Sequence, residues 1–324
     1  MFVIFAAVNA ATLEALWISF NTIFMQTLER TKTRIDDIAS TVPSSTRIEH
    51  YPIAALTQRM REWVKDRVIQ DLAAFQQSVQ NVTFEHTVGV MREDIEDDVT
   101  GAYGLAIQQQ AYLGALEPWL QVQDELGGRA FSSSVGFDDV TFFNDSHLWK
   151  GVRGAGAQAQ SNKTSDYLSR DAVYRGIRAM STFVGPDGVV LLVQPTHFLY
   201  APNLESVVDE LFNVPLANIS GGALSQTLYN KFDKQHQIKM STWTGYQWMM
   251  LDCEKPIKPV VNQIRRPLQL TPMVKLDDPN VFYQKRFDFG MDYRGAVKAI
   301  AWWLAYGSQG TSGAPTTAAP TTAA

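Results

Sequence analysis

One cysteine, Cys253, stands in a chain of 324 residues. A lone cysteine excludes an internal disulfide, and with it the stapled scaffolds of small secreted domains. Positive charge is also scarce. There are 28 Lys and Arg against 33 Asp and Glu, a net charge of −5. The basic footprint of tight nucleic-acid binding is therefore missing. Long apolar runs are missing too. The front, MFVIFAAV, falls short of the roughly 20 residues that cross a bilayer. It also has no Lys or Arg to form the positive start of a signal peptide. GVRGAGAQ, from Gly151, has glycines but no G-K-[ST] and no strong strand before it, so a phosphate loop is disfavoured.

What is present is a globular composition. Hydrophobic residues make up 45% and charged residues 19%. The length suits one large or two ordinary domains, at roughly 100–200 residues each. After Asn9, the residues Leu13, Leu16, Trp17, Phe20, Phe24 and Leu28 fall on one face of an amphipathic helix. A packing helix is favoured over a membrane or export segment.

Period-two alternation of Val82, Phe84, Val88 and Val90 predicts a half-buried strand, with residues 47–54 opposite it. The charged 58–67 segment reads as the exposed tip of a two-stranded projection. GAYGLAIQQQAYLGALEPWLQVQDELGG predicts a long helix stopped at Gly127–Gly128. About 25 residues at roughly 1.5 Å each give a rod of about 37 Å. Its expected apolar face is Leu105, Tyr112, Leu116, Trp119 and Leu120. Pro118 is expected to bend it.

A second helix is expected over SDYLSRDAVYRGIRAMSTFV with Ser165 or Asp166 as cap. GVVLLVQP reads as a buried strand, PTHFLYAP as the end of a strand, and NLESVVDELF as a helix capped by Asn203. Together they suggest a separate α/β subdomain. From Gly307 the chain is Gly, Ser, Thr, Pro, Ala and one Gln. Such a tail cannot offset its ordering entropy unless a neighbouring surface orders it.

Chemistry is thin. Asp138, Asp139, Asp145 and His147 lie close in sequence, but their spacing is loose for a metal, and a surface turn with an Asp–His hydrogen bond is favoured. Cys253 beside Asp252, with His86, His197 or His236 as base, is the other candidate. A buried structural cysteine is the usual case. No catalytic, cofactor-binding or metal-binding residue is assigned.

SSTRIEHY with REWV, FEHTVGVMREDIEDD, FFNDSH, LDCEKPIKP, RRPLQL and YRGAVKAIAWW together resemble the Mu-like major head subunit family. That family has the shell fold shared by tailed phages and herpesviruses. The resemblance runs from about Val8 to Gly307. It implies an α+β fold: an N-terminal arm (1–42), an extended β-hairpin E-loop (43–91), and a P-domain first part with a spine helix (92–186). An A-domain (187–254), return strands (255–307) and a low-complexity tail (308–324) follow.

The implied function is a structural capsid protein without enzymatic activity or cofactor. Hexamers and pentamers of it would close an icosahedral shell around double-stranded DNA, in the virion, after assembly in the host cytoplasm. A separate scaffold protein is expected, because no long acidic helical segment precedes the arm. A portal and a decoration protein are further expected partners. A cellular nanocompartment of the same fold is the alternative, and a metal-dependent hydrolase the remote one.

On this reading Arg59, Arg61, Lys65 and Arg67 of the ribbon tip meet a neighbour's Glu93, Asp94, Glu96, Asp97 and Asp98, with Trp63 as the aromatic anchor. Two solvated charge clusters are an equally weighted reading.

Overall fold

The chain's first described element is α1 (Ala10–Arg30), and its packed face is the expected one. Leu13, Phe20 and Phe24 are buried, with Leu16, Trp17 and Leu28 beside them. The computed structural model describes residues 10–53, 76–97, 102–149, 158–219, 222–225, 228–275 and 277–312. The basic tip, Arg59 to Arg67, and Asp98 lie outside the described residues.

After α1 come α2 (Ile35–Ile38) and β1 (Ala39–Pro43). β2 (Ile48–Pro52) pairs with β3 (Gln76–Gln80) as a two-stranded antiparallel ribbon. β4 (Val82–Met91) does not join this ribbon, contrary to the pairing expected from the sequence; it belongs to another sheet. Asn81 marks the switch. Its backbone N–H donates to the Arg47 carbonyl at 3.0 Å, and its side chain bonds Ser44, Thr46 and Gln263. Buried positions are Gln77, Val79 and Asn81 before the switch, and Val90 after it, so the facing parity changes at this residue.

α3 (Arg92–Asp97) leads to the long α4 (Ala102–Asp124), with Pro118 inside it. The helix does not stop at Gly127–Gly128. It passes through a wider π-type turn, Glu125–Arg129, into α5 (Ala130–Ser132). Gly127 is needed there because a Cβ would sit 2.3 Å from the Trp243 indole nitrogen. That same nitrogen donates to the Gln123 carbonyl at 2.8 Å. The expected apolar face is also corrected: Leu105, Tyr112 and Leu120 are exposed, while Ile107, Ala111, Val122 and Leu126 are buried. Small residues decide it. A Cβ on Gly114 would meet Leu268 at 2.6 Å, so the helix lies on the sheet through its slim side.

β5 (Lys163–Asp166) precedes α6 (Arg170–Thr182). The cap is Ser169, which accepts from the Ala172 N–H, and not Ser165 or Asp166, which are in β5. Residues 188–195 are not a buried strand. Leu192 is exposed at φ 53° and Pro195 has no N–H, so no ladder forms. The strand is β6 (His197–Tyr200), all four residues buried. Beyond it, a 3₁₀ turn, α7 (Glu205–Val208) and a π-type turn replace a uniform helix. Asn203 donates to the Thr244 and Gly245 carbonyls instead of capping.

β7 (Leu216–Ile219) and β8 (Gly222–Ser225) form a small hairpin. β9 (Gln237–Lys239) and β10 (Trp248–Leu251) follow. β11 (Val260–Met273), α8 (Pro279–Gln284) and β12 (Arg286–Ala299) build a long hairpin, and β13 (Ala305–Ser312) ends the described chain.

Two sheets organise the core. One has the order β1-β11-β12-β4, the other β5-β13-β10-β6-β9. In β12 every second residue from Phe287 to Ala299 is buried, the period of a strand with one face packed. Each such Phe contributes roughly 1.5–3 kcal/mol by leaving water. The expected tail begins too early in the sequence reading. Ser308 is fully buried and Ser308–Ser312 lie in β13, between β5 and β10. Gly310 has φ 65°, and a Cβ there would collide with the Tyr246 carbonyl, so the small residues are a packing requirement.

Candidate assembly surface

The residues with the most chemical promise are internal. His147 is fully buried, so the expected surface turn is corrected, although its Asp–His bond exists. Nδ1 lies 2.6 Å from Asp138 Oδ2, and Nε2 lies 3.1 Å from Asn162 Oδ1. The ring stacks on Trp302 with centroids 4.2 Å apart. Asn162 in turn donates to the Phe142 and Trp302 carbonyls. Asp139 is an exposed turn residue at φ 64°, and Asp145 accepts from the Ser161 hydroxyl instead. The structure therefore separates the four candidates into one internal clamp and two turn residues. Among the described residues, no group of three or more His, Cys, Asp or Glu is placed to hold a metal ion.

Cys253 is buried, and desolvation raises its thiol well above the usual range. A thiolate nucleophile is thus disfavoured. His197 is nearer than the sequence suggests. Its Nδ1 meets the Thr196 hydroxyl at 2.9 Å, and that hydroxyl accepts from the Cys253 N–H at 3.0 Å. Burial, then the His236 ring with its centroid 4.5 Å away, lowers His197 to about 4. His86 is on β4, in the other sheet.

Of the acidic candidates, Glu93 and Asp94 are exposed on α3. Glu93 makes a loose pair with Lys285 at 3.4 Å, both side chains in solvent. Glu96 and Asp97 are placed in the same helix by their backbone.

Two grooves open beside α4 and the β11–β12 hairpin. A cavity of about 330 Å³ lies between α4 and the sheet, lined by Phe84, Leu113, Leu268, Met291 and Tyr293. Gln110 also lines it; both its side-chain polar atoms are buried without a partner, as is the Tyr293 hydroxyl. Burial pushes Tyr293 up to about 12. The sequence reading missed this groove, and it missed Phe282 and Tyr283, which stand in solvent at the far end of the hairpin. The signal was available in PNVFYQ: three large apolar residues in a row on one helical turn cannot all face inward.

The described helices include none long and apolar enough to cross a membrane. The chain is 25% identical over 307 residues to the major capsid protein of Escherichia phage Mu, covering 94% of this chain and 75% of that protein. It is 23% identical over 305 residues to the Mu-like prophage FluMu major head subunit of Haemophilus influenzae, with the same shares covered. Its fold matches the chain of the bacteriophage JBD30 procapsid with a TM-score of 0.56 at 24% identity, over 93% of this chain and 76% of that one. The model of the family described as Mu-like prophage major head subunit gpT matches residues 13–170 and 224–323. With an α+β fold of the tailed-phage capsid type and a family match over most of its length, the chain belongs to the Mu-like prophage major head subunit family.

Proposed function

We propose that the chain is a major capsid subunit whose copies form the hexamers and pentamers of an icosahedral phage head around packaged double-stranded DNA. The observation that carries the reading is the family match across residues 13–170 and 224–323. It favours a phage head over a cellular nanocompartment or a hydrolase. The charge balance agrees with it. A wall of net charge −5 does not grip phosphates against their sliding.

The finer assignments belong to the same proposal. Residues 1–42 serve as arm, 43–91 as E-loop, 92–186 as the first P-domain part, 187–254 as A-domain and 255–307 as return strands, now extended by Ser308–Ser312. The tip residues Arg59, Arg61, Lys65 and Arg67 approach a neighbour's α3, with Trp63 as anchor. Exposed ion pairs add only about 0–1 kcal/mol each, so their part is register and partner choice. A separate scaffold, a portal and a decoration protein complete the head, which assembles in the host cytoplasm.

Electron microscopy of the full chain, expressed alone and with a candidate scaffold protein, tests the reading. Closed shells or ring-shaped capsomers are expected. Uniform small particles of single-subunit size in both preparations contradict it.

A further inference from the structure

The turn between β11 and β12 is rigidly built. Asn280 is buried, and its Nδ2 donates to the Met273 carbonyl at 3.0 Å, the Arg286 carbonyl at 2.9 Å and the Asp288 carboxylate at 3.1 Å. Val281 anchors the helical turn in the core formed by α1, α4 and β12. Lys285 closes it in the left-handed conformation, φ 51°. On this frame Phe282 and Tyr283 are 73% and 81% exposed, edge to face with centroids 5.0 Å apart. A rigid mount holding two adjacent aromatics in water has no folding benefit, because their apolar area stays hydrated. It is the arrangement of an interface anchor, preorganised before contact.

A groove of about 1000 Å³ opens at the same end of the hairpin, between α1 and the β11 terminus. Leu13, Trp17, Pro272, Met273 and Val274 line it, and Met273 is half exposed, a soft side chain that adapts to aromatic rings. Among its charged lining residues, Glu14, Asp277 and Asp278 stand against Lys275, and Asp288 is neutralised by Arg286. The aromatic turn continues into Lys285 and Arg286. Arg286 is bound to Asp288, but Lys285 is exposed and only loosely paired, so the knob brings positive charge to an acidic rim.

We propose that the Phe282–Tyr283 knob of one copy inserts into the α1–β11 groove of a second copy. Within one chain both aromatics remain open to solvent, so the knob does not fill the groove beside it. Copies related by rotation about an axis near this end place each knob at the next groove. Such a head-to-tail contact closes a ring when the rotation closes. The proposal rests on the shell reading and names one of its contacts.

The test is chemical cross-linking between copies. Cys253 is buried, so the native chain offers little thiol background. Gln284→Cys and Lys275→Cys, exposed positions beside the knob and on the groove rim, are placed on separate full-length chains, co-assembled and treated with a short bismaleimide. The expected product is a dimer of one Gln284→Cys chain with one Lys275→Cys chain. A double variant, Phe282→Ser with Tyr283→Ser, should melt like the parent yet yield at least about tenfold fewer particles, since anchor residues commonly control more than one decade of affinity. Particles that form without the mixed cross-link, or a double variant that assembles normally, overturn the knob-in-groove contact and leave the shell reading standing. If the unsubstituted chain with scaffold does not assemble, both fall together.

Discussion

Phe20 of α1 meets Phe289 of β12 edge to face, with ring centroids 5.1 Å apart. The N-terminal helix is thereby fixed onto its own sheet, beside Phe24, Ile107 and Phe287. Phe20→Ala should cost roughly 3–5 kcal/mol, the range for deleting a buried aromatic. Urea unfolding checks it. A loss well under 1 kcal/mol would mean that α1 is a loosely held arm.

The His147 clamp is a folding element. Its partner Asp138 is almost completely buried. Asp138→Ala leaves the buried imidazole without this hydrogen-bond partner, and an unsatisfied buried polar group costs roughly 1–3 kcal/mol. Chemical denaturation should show that loss. A variant as stable as the parent that has instead lost stoichiometric bound zinc or manganese would revive the metal reading.

Glu49 locks the turn before β2. Its carboxylate accepts from the Thr46 and Ser45 N–H groups and from the Ser44 hydroxyl. The Thr46 backbone N–H, then Ser44 and Ser45, hold its pKa at about 2 in place of 4.5. A depressed carboxylate contributes stability above its unfolded value and loses it as pH falls through the folded one. Glu49→Gln should therefore weaken ribbon protection in hydrogen exchange at neutral pH. The gap to the parent should narrow as pH drops from 4.5 toward 2. A gap independent of pH refutes the assignment.

The ribbon tip is predicted to act between copies. Trp63→Ala should leave the subunit's melting profile in place and reduce particle yield, because truncating an interface aromatic commonly costs about 2 kcal/mol or more. Arg61→Glu with Arg67→Glu should impair assembly more at low salt than at high salt, since exposed charges are screened over about 10 Å at 0.1 M. Unfolding by Trp63→Ala with normal surviving particles would place Trp63 in a core.

How legible the fold was depends on the element. The stripe of α1 was readable because Leu13, Phe20 and Phe24 share one helical face that packs as a unit. β12 alternates cleanly. The β3–β4 switch was hidden, because the period-two pattern from Val82 does not say which strand it pairs with, and the hydrogen bonds of Asn81 that redirect the chain depend on its tertiary neighbours. β13 was hidden by composition. Gly307 and Gly310 are small because Phe143 and Tyr246 press on them, a reason invisible without the tertiary neighbours. The shell role was legible from family words, whereas the exposed aromatic pair on α8 became evident only from its burial.

Sedimentation velocity of the purified full chain with scaffold present, across concentrations and salts, tests the central claim most directly. Self-assembly predicts species of capsomer size or larger that grow with concentration. A single sharp boundary at the mass of one 36.2 kDa subunit under every condition would contradict it.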